Sequence, residues 1–183
     1  MAPPGRRPTD PELAAAVGRL ADARELVADG EEDAYRRLCD EVDRLDGGDG
    51  LPEAFTHPDF VMANVVASPD GIVVVDWAGA GRAPRLWSLA FLLYAEGTKD
   101  LRRVDRVVAG YRQHVRLEPE ELDRLAAVMR ARPLVFTVWA VCTGRSTAAD
   151  AVAGLAELHS LTAAIADRAR AAFADPQPVP RAR

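Results

Sequence analysis

Apolar side chains recur every three or four residues along most of the chain, the pattern of amphipathic helices. Leu13, Val17, Leu20 and Leu26 mark a first helix ending near Ala28. Its start is signalled by TDPE: Asp10 can cap, Pro11 suits the first turn, and Thr9 with Glu12 fits a capping box. Tyr35, Leu38, Val42 and Leu45 place a second helix over residues 31–45, and DGGDG breaks it. From Leu86 onward the pattern predicts only helices, over 86–95, 100–116, 118–131, 133–143 and 147–173. Pro119 suits a first turn, and Pro133 must separate two helices or kink one.

The helical period fails in one place. NVVAS and GIVVVDW are β-branched runs joined by SPDG, whose Pro-Asp-Gly is turn chemistry. They predict a β-hairpin with Asp70 as a turn residue. The valines are nearly continuous, which predicts burial on both faces of the hairpin. The expected fold is therefore mostly α with one small β-hairpin. It fills residues 10–173, between a loose Pro- and Arg-rich start over 1–9 and a Pro-rich tail over 174–183. Trp77, Trp87, Tyr94 and Trp139 are expected in the core.

Composition narrows the function. With 183 residues the chain is long enough for one well-formed core. A formal net charge of -5 argues against a general nucleic-acid binder and mildly favours cationic partners, although solubility explains it more simply. Cys39 and Cys142 stand far apart, with no zinc or disulfide pattern, as in a reducing cytoplasm. The start has no signal-peptide h-region, and the runs LWSLAFLLYA and PLVFTVWAVC are too short to span a bilayer of about 30 Å. Lys99 is the only lysine, so lysine chemistry has one candidate.

The hairpin carries the candidate chemistry. HPDFVMANVV followed by IVVVDW spaces a His, an Asp, an Asn and a second Asp as H-x-D-x-x-x-x-N, hairpin, D. A core needs the valines and has no use for the polar groups. Phosphoryl transfer needs hard oxygen ligands for Mg²⁺ and a carboxylate beside the attacking hydroxyl, and kinases deploy such groups in this order. Asn64 opens one strand and Asp76 closes the other, so both belong at one end of the ladder, with Asp59 approaching from the preceding loop.

These segments resemble the catalytic and metal-binding segments of the aminoglycoside phosphotransferase and choline kinase group, with its HGDxxxxN and its strand ending in IDW or IDF. The resemblance implies that Asp59 is the catalytic aspartate and that Asn64 and Asp76 hold Mg²⁺. It makes His57 the histidine that shapes the loop. It further implies ATP as donor, a small-molecule hydroxyl as acceptor, and a kinase-like C-terminal lobe as the fold. There are three departures. Pro58 stands where the family usually has Gly. In GRAPRLWSLA, Ala83 and Ser88 replace two aspartates of the family's G-D-P-x-x-D-L-A segment, the second of which normally braces the catalytic loop. Finally, the family's nucleotide lobe should precede this segment, yet only about fifty residues precede His57 and they read as helices. The chain is thus expected to need a separate nucleotide lobe, or to be a non-catalytic binding or regulatory module descended from such a lobe. A third reading takes AGAGRAP as the start of a dinucleotide fingerprint, although Pro84 occupies the place of its third glycine.

Overall fold

The computed structural model describes residues 27 and 29–175 and, before them, residues 15, 18–20, 22 and 24. The start signals Thr9, Asp10, Pro11 and Glu12, the positions Leu13, Val17 and Leu26, and the tail beyond Asp175 lie outside the described residues. Leu20 is helical and buried.

The elements follow in chain order. Helix α1 is Glu32–Asp43. Strand β1 is Glu53–Thr56, and a single 3₁₀ turn covers Met62–Asn64. Strands β2, β3 and β4 are Val65–Ser68, Gly71–Val74 and Gly81–Pro84. Helices α2 to α6 are Leu86–Gly97, Leu101–Tyr111, Pro119–Met129, Ala131–Cys142 and Ala148–Ala174. The fold is mostly helical with small antiparallel strand pairs, and the described helices α1 to α6 fall within two residues of their predicted bounds, except that α3 ends at Tyr111, five short of 116.

Local chemistry explains the ends. Asp100 caps α3 by accepting from the Arg102 amide at 2.9 Å, and Thr147 caps α6 by accepting from the Asp150 amide at 3.1 Å. Helix α4 stops at Met129, the residue whose carbonyl the ring of Pro133 would meet in a continuous helix. Pro133 then sits in the first turn of α5, where its missing N–H is no loss. Together Pro119–Cys142 are long and apolar enough to cross a bilayer, with mean hydropathy 1.5. Here they form two helices, and Leu125, Val128, Leu134 and Val138 enter the core.

Two apolar clusters make up that core. The larger joins Leu86, Leu89 and Leu93 of α2, Val104 and Val108 of α3, Leu125 and Met129 of α4, and Ile165, Ala166 and Ala169 of α6. The smaller joins Leu38 and Val42 of α1, Leu134 and Val138 of α5, and Ala151 and Val152 of α6. Helix α6 therefore serves both. It approaches α2 so closely that a Cβ on Gly97 would lie 2.7 Å from the Ile165 side chain. Cys39 and Cys142 are free thiols beside the smaller cluster.

Two ion pairs fix helix α4 to the segments that flank the strands. Glu121 of α4 is fully buried and bound by both ends of the Arg85 fork, at 2.8 and 2.6 Å. It also accepts from the Glu118 amide at 2.8 Å, which closes the first turn of α4. Burial pushes its carboxyl up, but Arg85 and the amide outweigh that and hold it below the usual range. Arg124 binds Asp46 at 2.8 and 2.5 Å and donates to the Asp49 carbonyl at 3.0 Å, which pins the DGGDG loop. In that loop Gly48 has φ 78° and lies against Pro84 and Trp87, so a side chain would be both strained and crowded.

The structure corrects four expectations. Among the described residues there are two strand pairs, not one. Besides β2–β3, Glu53–Thr56 pairs with Gly81–Pro84 in antiparallel register, Thr56 opposite Gly81. That strand also removes the dinucleotide reading, because GRAP is an antiparallel strand and opens no helix on a parallel sheet. The hairpin valines are not buried on both faces. Ile72 is 74% exposed, and Val66, Val73 and Val75 are exposed as well, because no element covers the ladder among the described residues. Trp77 and Trp139 are also outside the core, at 48% and 39% exposure. Trp87 and Tyr94 pack against the larger cluster as expected.

Because the folded state holds the Glu121 carboxyl below its ordinary value, the pair's stabilisation is complete at neutral pH. It falls away as pH drops below the glutamate range of about 4.3. We expect Glu121→Gln to lower stability by about 3 kcal/mol at pH 7, since it strands the partly buried Arg85 charge. The difference in melting temperature between parent and variant should shrink as pH is lowered from neutral toward about 3. A pH-independent difference would show that the ion pair is not its cause.

Candidate active site

Strands β1 and β4 hold the base of a closed excursion, residues 57–80, that carries every predicted site residue. The clamp is tightened by the Thr56 hydroxyl, which donates to the Gly81 carbonyl at 3.2 Å. Within the excursion the β2–β3 hairpin projects from the body, with Val65 opposite Val74 and Ser68 opposite Gly71.

His57 organises the segment from its first position. It is 4% exposed. The Asp59 amide donates to Nδ1 at 3.1 Å, which makes Nδ1 the acceptor and places the proton on Nε2. Nε2 then donates to the Val75 carbonyl at 2.9 Å. One ring thus joins the loop before the hairpin to the strand after it. The Trp77 ring meets it edge-on at 4.7 Å and stacks on Phe55 at 5.9 Å, while the Trp77 indole N–H donates to the Val74 carbonyl at 2.8 Å. Trp77 is a cover over the histidine.

Ser88 of α2 holds the same residue from below. Its Oγ accepts from the His57 amide at 3.2 Å and donates to the His57 carbonyl at 2.8 Å. Where an aspartate was expected, the shorter serine makes a two-way bond to the backbone, so the loop is braced from α2 in a different manner.

Asp59 and Asn64 are brought together. The Asn64 amide nitrogen donates to the Asp59 backbone carbonyl at 2.8 Å and to its Oδ2 at 3.1 Å. The intervening residues close as a compact turn, Val61 N–H to Asp59 carbonyl and Asn64 N–H to Val61 carbonyl, each at 3.0 Å. Spending its nitrogen on Asp59 leaves the Asn64 Oδ1 as a lone acceptor. Asn64 lies at the end of the 3₁₀ turn, just before β2, and its carbonyl accepts from the Val75 amide at 2.9 Å.

Asp76 follows directly, at the same open end of the ladder. Its φ is 63°, the one left-handed non-glycine residue among those described. A side chain there costs about 1–2 kcal/mol, less for Asp than for most, and such strain collects at functional positions. Its carboxylate is exposed and makes no hydrogen bond or ion pair among the described residues. The hard oxygens at this end, Asn64 Oδ1 and the Asp76 carboxylate, suit a small dication that keeps its waters and takes further oxygens from a phosphate. Among the described residues no cluster of three or more His, Cys, Asp or Glu is placed to hold a metal.

One neighbour of Asp59 carried no signal in the sequence. Arg132 of α5 reaches Asp59 Oδ1 with a terminal nitrogen at 3.5 Å. Its guanidinium is flanked by the rings of Phe91 and Phe136, at 5.5 and 4.9 Å. A partner supplied from more than seventy residues away has no local pattern to betray it.

Comparisons with known proteins bear on the family and the fold. The model of the phosphotransferase enzyme family (APH) matches residues 1–128, which include the whole excursion. None of the curated proteins matches the chain. Among solved structures it is similar to a choline/ethanolamine kinase family protein from Mesorhizobium loti, with a TM-score of 0.50 and 19% sequence identity. That similarity covers 90% of this chain and 54% of the other, so the chain spans about half the length of its structural relative. At that identity the likeness bears on the fold, which is kinase-like.

Removing the Ser88 hydroxyl leaves the buried His57 backbone short of two partners. Ser88→Ala should lower stability by about 1–3 kcal/mol and speed hydrogen exchange at the His57 and Asp59 amides. Exchange at β2 amides should respond less. Unchanged exchange at both sites would show that the loop is held without Ser88.

Proposed function

The chain belongs to the phosphotransferase enzyme family, and on that premise we propose that it is a kinase-like lobe for transfer of a phosphoryl group from ATP to a hydroxyl of a small molecule. The observation that supports this is the His57 ring, which ties the Asp59 turn to Val75, next to Asp76, while Asn64 binds Asp59 at the same end of the hairpin. Asp59 would accept the hydrogen bond of the acceptor hydroxyl and take its proton as the new P–O bond forms and the bond to the departing ADP breaks. Asn64 and Asp76 would hold Mg²⁺, which when bound neutralises charge on the phosphate oxygens. Asn64 also orients Asp59, so base and metal ligand are fixed to each other. His57 maintains the turn and takes no part in the chemistry.

By this reading the chain corresponds to the C-terminal lobe, and a nucleotide lobe comes from a separate segment. Lys99, the only lysine, supports that division, because its ammonium is paired with Glu96 at 2.5 Å on the far end of α2. It also favours a second reading, a binding or regulatory module that has kept the lobe without catalysis. An acidic overall charge fits a cationic acceptor, and a cytoplasmic setting fits the free thiols.

The test is an ATP-dependent phosphorylation assay with Mg²⁺ over a panel of small alcohols, with and without an added nucleotide lobe. Alone, the chain should bind ATP with a Kd of order millimolar, about 4 kcal/mol, because one lobe supplies only part of the grip. Micromolar binding by calorimetry would overturn the divided-lobe reading.

Variants should separate the roles. Asp59→Asn should lower kcat by about a hundredfold or more while nucleotide and metal binding stay nearly intact. Asp76→Ala should raise the Mg²⁺ requirement and weaken nucleotide binding together, and Asn64→Ala should do the same more mildly. Full kcat in Asp59→Asn beside normal Mg²⁺ dependence in Asp76→Ala would show that these residues are not the site.

A further inference from the structure

The site holds two carboxylates and one amide that could all bind a dication. Asn64 touches one carboxylate and shares its hairpin end with the other. Nothing in charge alone prevents Asp59 from being drawn into the metal shell, where it could no longer serve a hydroxyl. Geometry supplies the restraint. Oδ2 of Asp59 accepts from Asn64 at 3.1 Å, and Oδ1 faces Arg132 at 3.5 Å. The Asp59 side chain is about one-third exposed and that of Arg132 about half as much. The guanidinium is anchored from α2 by Phe91 and from α5 by Phe136, two elements outside the excursion. A cation fixed in this way cannot follow the loop, and it reaches the carboxylate from the helical body.

We infer that Arg132 is a positioning residue: it stands as a built-in cation on Asp59 and keeps that carboxylate apart from the dication held by Asn64 and Asp76. This rests on the phosphotransfer reading and extends it to a residue that lies beyond the segment matched by the family, which ends at 128. Two consequences follow from charge. The guanidinium repels a dication from the Asp59 side, so metal is directed to Asp76. And because the 3.5 Å contact is loose, Oδ1 keeps lone-pair capacity for an incoming hydroxyl.

Mn²⁺ reports this without any turnover, since it takes the same oxygen ligands as Mg²⁺. Its affinity is followed by the electron paramagnetic resonance signal of the free ion, on variants shown folded by circular dichroism. In the parent chain Asp76→Ala should weaken Mn²⁺ about tenfold or more, whereas Asp59→Asn should change it less than about twofold. Arg132→Met keeps the length and apolar stem and removes the charge. It should tighten Mn²⁺ by about three- to tenfold, and adding Asp59→Asn should cancel that gain. Arg132→Lys should stay near the parent value. A purely structural arginine would lower melting temperature in Arg132→Met and leave these ratios alone, and that result overturns the inference. So does an Asp59→Asn change in the parent as large as that of Asp76→Ala. Mn²⁺ binding that ignores Asp76→Ala instead sinks the metal reading on which the inference stands, and a parent that binds no Mn²⁺ overturns both.

Discussion

The two hydrogen bonds of the His57 ring are the constraint on which the candidate site depends. A buried imidazole with one nitrogen donating and the other accepting can bind two backbone segments at once, in a fixed direction for each. Here the segments are the turn at Asp59 and the strand end at Val75. Without that crosslink the hairpin would be a two-stranded ladder with no cover, and such ladders are marginal alone in water. With it, Asp59, Asn64 and Asp76 have defined places although each lies on irregular backbone.

The helical body serves this segment from two directions. From below, Ser88 grips the histidine backbone, and it can do so because α2 is immobilised by the larger apolar cluster. From the side, the Arg85–Glu121 pair ties the link between β4 and α2 to α4, so the strand clamp at the base of the excursion is fixed to the core. A rigid body bearing a functional loop is the usual arrangement for catalysis, because precision comes from the supports and access comes from the loop. Trp77 and Phe55 fit the same scheme. Trp77 shields the histidine and Phe55 backs Trp77, while both keep much of their own surface exposed.

The helices were legible in the sequence because each buries one face, which leaves a 3.6-residue rhythm from Tyr35 to Leu45 and from Leu86 to Phe173. The contacts of His57, Asp59 and Asn64 could be expected because these residues lie close together in the chain. What was missed is long-range or masked. GRAP contains a Gly and a Pro, which hide a strand, and it pairs with EAFT across a separation of 25 residues or more. The run of valines predicted burial, yet β-branched residues favour strands whether covered or not. Ser88 looked like the loss of a brace because side-chain reach to a backbone group is not written in a pattern. Arg132 had no neighbour in sequence to mark it.

Helix α6 has a consequence for how the chain comes apart. Its 27 residues extend about 40 Å, with Ala151 and Val152 in one apolar cluster and Ile165, Ala166 and Ala169 in the other. Neither cluster can open fully while the other keeps that helix in place, so the two behave as a single cooperative unit. No residue of the excursion 57–80 belongs to either cluster, so that segment can open locally without unseating the helix. The stretch that carries the candidate site can thereby breathe without loosening the rest.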